Sequence, residues 1–186
     1  MVPALIGVVL SGGLSTRMGR DKGTLQYVPG VDQRTRCFRL LQEFCEEVVI
    51  SCRREQASLI AAQISRIYDD ENNLGPSGGI VSVHRSRPEA ALLVMACDMP
   101  YVTHEVLAHL FAQRNPACDA TVFFNTARGT FEPLLAIWEP TALRQCAKEV
   151  ERGQLSPVQT LRKLNCQVIE YYDSRVLRSV NAPEKF

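Results

Sequence analysis

Between residues 10 and 22 the chain reads Leu10-Ser11-Gly12-Gly13-Leu14-Ser15-Thr16-Arg17-Met18-Gly19-Arg20-Asp21-Lys22, and these residue types suit an anion. Gly12 and Gly13 carry no Cβ, so the backbone there can turn sharply and lie directly against a ligand. Ser11, Ser15 and Thr16 add hydroxyls, and the free N–H groups of such a loop form a concave anion site. Arg17, Arg20 and Lys22 place three cations within six residues, against one carboxylate, Asp21. Together they point to a polyphosphate; the bland alternative is a Gly-Gly turn followed by a solvated basic loop. Two common fingerprints are excluded. Arg20 follows Gly19 where a P-loop has its lysine, and the third glycine of the dinucleotide pattern is missing.

Asp98 is the sharpest carboxylate. It follows the apolar run 90–97, so its charge sits at the mouth of a buried strand, where an uncompensated charge is costly. A hard cation would compensate it, and Mg²⁺ is typically held by one or two carboxylates plus substrate phosphates. The competing reading is a turn aspartate that accepts backbone N–H groups ahead of Pro100; the glycine loop in the same chain favours the metal. Asp70 either accepts from a base or ribose or caps the turn towards Asn72, and Asp69 beside it is an equal candidate for the contact. Lys22 is a mobile point charge that can reach a phosphate. Gly75-Pro76-Ser77-Gly78-Gly79 either offers N–H groups at the start of a helix or is a tight link. Met18 reads as a core plug. His84, His104 and His109 read as surface or helix-packing residues.

The elements that must position these groups follow from hydrophobic periodicity. Strands are expected over 4–10, 25–28, 47–52, 66–68, 90–97, 120–124, 131–138, 167–171 and 176–180. Helices are expected over 32–45, 56–64, 80–87, 105–114, 140–152 and 157–164, with Asp32 and Thr103 as N-caps and Arg34, Arg36, Arg39 and Glu43 facing outward. Alternating strands and helices predict a mostly parallel sheet covered on both faces. The strands around Phe123 and Leu135 are too closely linked for a parallel crossover, so one antiparallel strand intrudes. With no repeat or linker, residues 1–186 read as a single α/β domain. Ligands of such a sheet gather beyond the carboxyl ends of the strands. Gly12-Gly13, Asp69-Asp70 and Asp98 all fall at such ends.

A net charge of +1 supplies no whole-molecule field to recruit nucleic acid or an anionic membrane. The cysteines at 37, 45, 52, 97, 118, 146 and 166 are odd in number, dispersed and free of Cys-x-x-Cys pairs. They read as reduced, half-buried thiols of a cytoplasmic protein. No signal peptide is recognised, and no apolar run is long enough to span a bilayer.

The loop at 10–22 resembles the signature Gly-Gly-x-Ser-x-Arg-Met-Gly-x-Asp-Lys of nucleotidyltransferases with a Rossmann-like sheet, in the form found in molybdenum-cofactor guanylyltransferases. Other landmarks recur in order. Ile67-Tyr68-Asp69-Asp70 is similar to the segment whose last aspartate contacts the nucleotide, and Gly75 to Gly79 to a Gly-Pro-rich turn. Cys97-Asp98-Met99-Pro100 resembles a metal-binding Cys-Asp-x-Pro, while Glu132-Pro133-Leu134 and Val180-Asn181-Ala182-Pro183-Glu184 resemble segments linked to the pterin. The resemblance implies a three-layer fold of the nucleotide-diphospho-sugar transferase type. It implies GTP on Leu10, Ser11, Gly12, Gly13, Lys22, Ser51, Asp70 and Asp98, and Mg²⁺ on Asp98. Arg17, Lys22 and Asp98 would carry the chemistry, and molybdopterin or molybdenum cofactor would be the acceptor. Cofactor-delivery proteins are the further partners implied, and the assembly expected is a monomer or weak homo-oligomer.

The chain departs from that pattern in three places. Ser51 stands where relatives often carry asparagine, Ser77-Gly78 replaces a more usual Leu-Ala, and the chain ends at Phe186 where relatives continue. These departures bear on base specificity and pterin docking. Two rivals therefore stand beside the guanylyltransferase reading. One is a sister enzyme transferring another nucleotide, such as CMP, to the same pterin or to a sugar or polyol phosphate. The other is a non-catalytic nucleotide-binding adaptor. The Leu-Ser-Gly-Gly form of the loop leans towards guanine.

Overall fold

The first apolar run forms strand β1, Leu5–Leu10, buried from Ile6 onward, as a strand covered on both faces must be. The computed structural model describes residues 2–13, 21–69, 74–171, 173 and 175–180. β1 belongs to a seven-stranded sheet with β2 (Glu47–Cys52), β3 (Arg66–Tyr68), β4 (Ala91–Ala96), β5 (Ala120–Asn125), β6 (Thr130–Trp138) and β7 (Cys166–Tyr171). The spatial order is β3-β2-β1-β4-β6-β5-β7. β1 pairs in parallel with β2 and β4, β2 with β3, and β5 with β7. Only β6 runs the other way, between β4 and β5, as the short link 126–129 requires.

Among the described residues five α-helices cover the sheet: α1 (Gln33–Gln42), α2 (Gly75–Ser86), α3 (His104–Ala112), α4 (Pro140–Glu151) and α5 (Pro157–Leu161). Side chains alternate along a strand, so β4 feeds two cores. Leu93 and Met95 pack with Cys37 and Leu41 of α1 and Leu107 of α3. Leu92 and Val94 pack with Ile80 of α2 and Leu143 of α4. Burying each of these leucines is worth roughly 1.5–3 kcal/mol. The parallel register Leu10↔Ala96 brings the carboxyl ends of β1 and β4 level, so Gly12 and Asp98 leave the sheet at the same edge.

Several expected elements differ. Residues 25–28 form no strand: a 3-10 turn, Lys22–Thr24, ends at Leu25, and only an isolated bridge joins Val28 and Val31 across Pro29-Gly30. The helix expected over 56–64 is a 3-10 turn, Arg54–Leu59, closed by Ile60 N–H on Ala57 O. α2 starts at Gly75 rather than Ile80, because Pro76 in the first turn has no N–H to lose. Residues 176–180 make a turn instead of a strand, and Val180 N–H donates to Asp98 O (2.8 Å). Asp32 caps α1 through its side chain as expected, accepting from Thr35 N–H (2.8 Å). Thr103 occupies the N-cap of α3 without such a bond.

The thiols are buried more deeply than expected. Cys37, Cys45, Cys52, Cys97 and Cys146 are buried, Cys118 and Cys166 are half-buried, and all are free. Burial pushes the Cys97 thiol up to about 12 and that of Cys146 up to about 11. The histidines pack on helices: His84 is buried on α2, His104 pairs with Glu43 (3.3 Å), and His109 stacks on Phe123. Among the described residues no helix is long and apolar enough to cross a membrane.

Candidate active site

Three strand ends are laced together beyond the sheet. Ser11 N–H donates to Ser51 O (2.9 Å) and Cys97 N–H to Leu10 O (3.1 Å), tying the segments after β1, β2 and β4 to one edge. A cavity of about 600 Å³ opens there, bounded by Gly12, Gly13, Lys22, Ser51, Asp69 and Asp98. That volume suits a ligand of nucleotide size. Leu10 and Ser11 also line it, so eight residues from four segments of the chain converge. Arg17 and Asp70 lie outside the described residues, as do Ser15, Thr16, Met18 and Arg20.

Asp98 supplies the unusual charge. Its Oδ2 accepts from Lys22 Nζ at 3.1 Å, while its Oδ1 is buried with no hydrogen-bond partner among the described residues. An orphaned carboxylate oxygen is costly, so the arrangement fits a cation or a ligand donor better than a finished turn. The turn alternative would have needed backbone N–H groups on this carboxylate, and among the described residues it receives none. No cluster of three or more His, Cys, Asp or Glu side chains surrounds it among those residues. Asp98 thus fits a hard cation that would take its remaining ligands from phosphate oxygens and water.

A buried clasp, absent from the sequence-based expectations, holds the loop. Arg34 does not face outward: its side chain is 2% exposed and bridges the two ends of the loop. Its Nη2 donates to Asp21 Oδ2 (2.5 Å) and its Nε to Ser11 Oγ (2.8 Å). Gln56 Nε2 donates to the same Asp21 oxygen and to Ser11 O, each at 2.9 Å. Asp21 in turn caps the Lys22–Thr24 turn by accepting from Gly23 N–H (2.8 Å), which sets the position of Lys22. A Cβ on Gly23 would stand 2.6 Å from the Arg34 guanidinium, so the clasp needs glycine there. Arg34 lies three residues before Cys37 and seven before Leu41 on the buried face of α1; that spacing was the available signal. Arg36 is also turned in, donating to Val102 O (2.6 Å).

The clasp changes the role expected of Ser11. Its N–H goes to Ser51 O and its hydroxyl oxygen accepts from Arg34 Nε, so both groups are tied into the fold. The N–H groups of Gly12 and Gly13 meet no acceptor among the described residues. Both residues line the cavity.

Asp69 lines the cavity. Ser51, fully buried, donates to Asp69 Oδ1 (2.5 Å), and the carboxylate lies so close to the loop that a Cβ on Gly12 would collide with Oδ2. A Cβ on Gly79 would stand 2.6 Å from Ser51 Oγ. These two glycines let the helix, the loop and the Ser51–Asp69 pair close on one another. Glu132 adjoins this edge; burial pushes its carboxyl up to about 7, with a smaller rise from Asp98 against a Leu134 N–H bond and Arg128.

A sheet of this order, with a glycine turn, a lysine and an aspartate at one edge, fits the nucleotidyltransferase class. Residues 7–166 match the MobA-like NTP transferase domain. The chain is 32% identical over 185 residues to the molybdenum cofactor guanylyltransferase of Pseudomonas paraeruginosa, covering 95% of this chain and 90% of that protein. It is 31% identical over 183 residues to the molybdenum cofactor biosynthesis bifunctional protein of Synechocystis, covering 98% of this chain but only 52% of that longer protein. Among solved structures it is similar to molybdopterin-guanine dinucleotide biosynthesis protein A from Archaeoglobus fulgidus, with TM-score 0.74, 25% identity, and 96% and 93% of the two chains covered. The chain belongs to the MobA-like NTP transferase family.

Proposed function

We propose that the chain transfers GMP from GTP to the phosphate of molybdopterin or molybdenum cofactor, releasing pyrophosphate and forming a guanine dinucleotide. The observation that carries this reading is the half-satisfied Asp98 carboxylate, paired with Lys22 at a cavity whose loop presents the Gly12 and Gly13 N–H groups. The guanylyltransferase names of the relatives support the choice of base and acceptor.

An oxygen of the acceptor phosphate attacks the α-phosphorus of GTP in line, and the bond to the β-phosphate oxygen breaks as pyrophosphate leaves. Asp98 would hold Mg²⁺, which when bound neutralises charge on the phosphate oxygens. Gly12 and Gly13 cradle the phosphates with backbone donors. Lys22 offsets the charge gathering on the leaving pyrophosphate, a role shared with Arg17 by its place in the loop. The acceptor phosphate is already ionised, so no side chain need remove a proton. The protein contributes position and charge. We assign the whole chain to one catalytic domain, acting in the cytoplasm as a monomer or weak homo-oligomer.

The reading is tested by pyrophosphate release with Mg²⁺, molybdopterin and each of GTP, CTP and UTP. Release with GTP well above the other two supports it. Release only with CTP or UTP assigns the sister activity, and nucleotide binding without any release assigns the adaptor.

A further inference from the structure

The proposed chemistry uses the β1 and β4 side of the cavity and gives no role to the turn that follows β2. Arg53 and Glu55, in the turn after β2, line the same cavity. Arg53 Nε is buried without an acceptor among the described residues, and its Nη1 approaches Glu55 Oε1 only to 3.9 Å. The two charges therefore face the cavity as a loose pair with unused hydrogen-bonding capacity. Their backbone is anything but loose. Arg53 N–H donates to Gln56 Oε1 (2.9 Å), Gln56 N–H to Arg53 O (3.0 Å), and Gln56 Nε2 to Ser11 O (2.9 Å). The clasp that fixes the phosphate loop thus also fixes this turn.

We propose that Arg53 and Glu55 read the base of the nucleotide and select guanine; the inference rests on the nucleotidyltransferase reading above. The topology separates the ends of the ligand. Phosphates lie by Gly12, Lys22 and Asp98 at β1 and β4, and the base extends towards the turn after β2. A guanine edge carries the acceptors O6 and N7 beside the donors N1–H and the exocyclic amine. An arginine fork pairs with O6 and N7, and a carboxylate accepts from the two donors. Cytosine and adenine both present an amine where Arg53 needs an acceptor. Either base would leave the Arg53 guanidinium covered and unpaired, which is how a polar site rejects a misfit.

The test is equilibrium binding of GTP, ITP, CTP and inorganic pyrophosphate to the wild type, Arg53→Ala and Glu55→Gln, beside the pyrophosphate-release assay. Inosine lacks the exocyclic amine and so isolates the Glu55 contact. The wild type should prefer GTP to both ITP and CTP. Each variant should lose about tenfold to hundredfold in GTP affinity, with pyrophosphate affinity unchanged as the control for an intact fold and loop. In Glu55→Gln the gap between GTP and ITP should narrow. A GTP-preferring wild type whose preference survives in both variants overturns the proposal and leaves the nucleotidyltransferase reading standing. Equal losses for GTP and pyrophosphate also overturn it, since they make these residues phosphate or structural groups. A wild type that releases pyrophosphate from no nucleotide overturns both.

Discussion

Lys22 Nζ lies 3.1 Å from Asp98 Oδ2 across 76 residues of sequence. The end of the glycine loop and the mouth of the most buried strand therefore form one electrostatic unit. The other Asp98 oxygen, Oδ1, is buried and has no hydrogen-bond partner among the described residues. A lysine that would hold a phosphate is parked on the carboxylate that would hold a cation, and a Mg-bound triphosphate would satisfy both.

Removing Lys22 tests one half of that unit. Lys22→Ala should weaken GTP binding about tenfold or more, the worth of a charge-assisted contact, with little change in thermal midpoint. Isothermal titration with GTP measures it, and an unchanged affinity would remove Lys22 from the phosphate site.

Arg34 should matter more for stability than any other cation among the described residues. Its guanidinium is 2% exposed and pairs with Asp21, itself only 15% exposed. Arg34→Leu leaves that carboxylate without its charge partner and should cost about 3 kcal/mol, read from urea unfolding. A loss below 1 kcal/mol would mean that the clasp is not what holds the loop.

The approach of Asp69 to Gly12 leaves no room for a methyl group. Gly12→Ala must push aside a carboxylate fixed by Ser51, at a cost of about 1–3 kcal/mol, and should weaken nucleotide binding. Full-strength GTP binding by this variant, measured by fluorescence titration, would place the nucleotide elsewhere.

Glu132 gives the fold a pH dependence. Burial raises its carboxyl from the ordinary 4.5 to about 7, so the folded state holds its proton where the unfolded chain releases it. Its contribution is complete below about pH 4.5 and is lost as pH rises through 7. Without divalent cations, Glu132→Gln should therefore raise the thermal midpoint more at pH 8 than at pH 5. An equal shift at both values would show that Glu132 ionises normally.

Much of this arrangement was legible in the residues themselves. A strand of unbroken apolar side chains ending in Asp98, and another ending in two glycines, mark two ends of a parallel sheet. Their meeting follows from the topology. The short link before Thr130 likewise announced the antiparallel β6. What escaped reading obeys tertiary rather than local rules. Arg34 and Arg36 were expected outside because charged residues usually are, yet Asp21 and Val102 O compensate them inside. Gly75 to Gly79 carried turn composition but folded as helix, since close packing against Leu74 and Ser51 repays glycine's entropy. The part Gln56 plays in the clasp gave no local signal, because Asp21 and Ser11 lie 35 and 45 residues away.

The most direct test of the central claim is pyrophosphate release by Asp98→Ala with GTP, Mg²⁺ and molybdopterin, read beside its unfolding curve. The account predicts a natively folded protein with turnover reduced by at least a hundredfold. Near-normal turnover in that variant would contradict it.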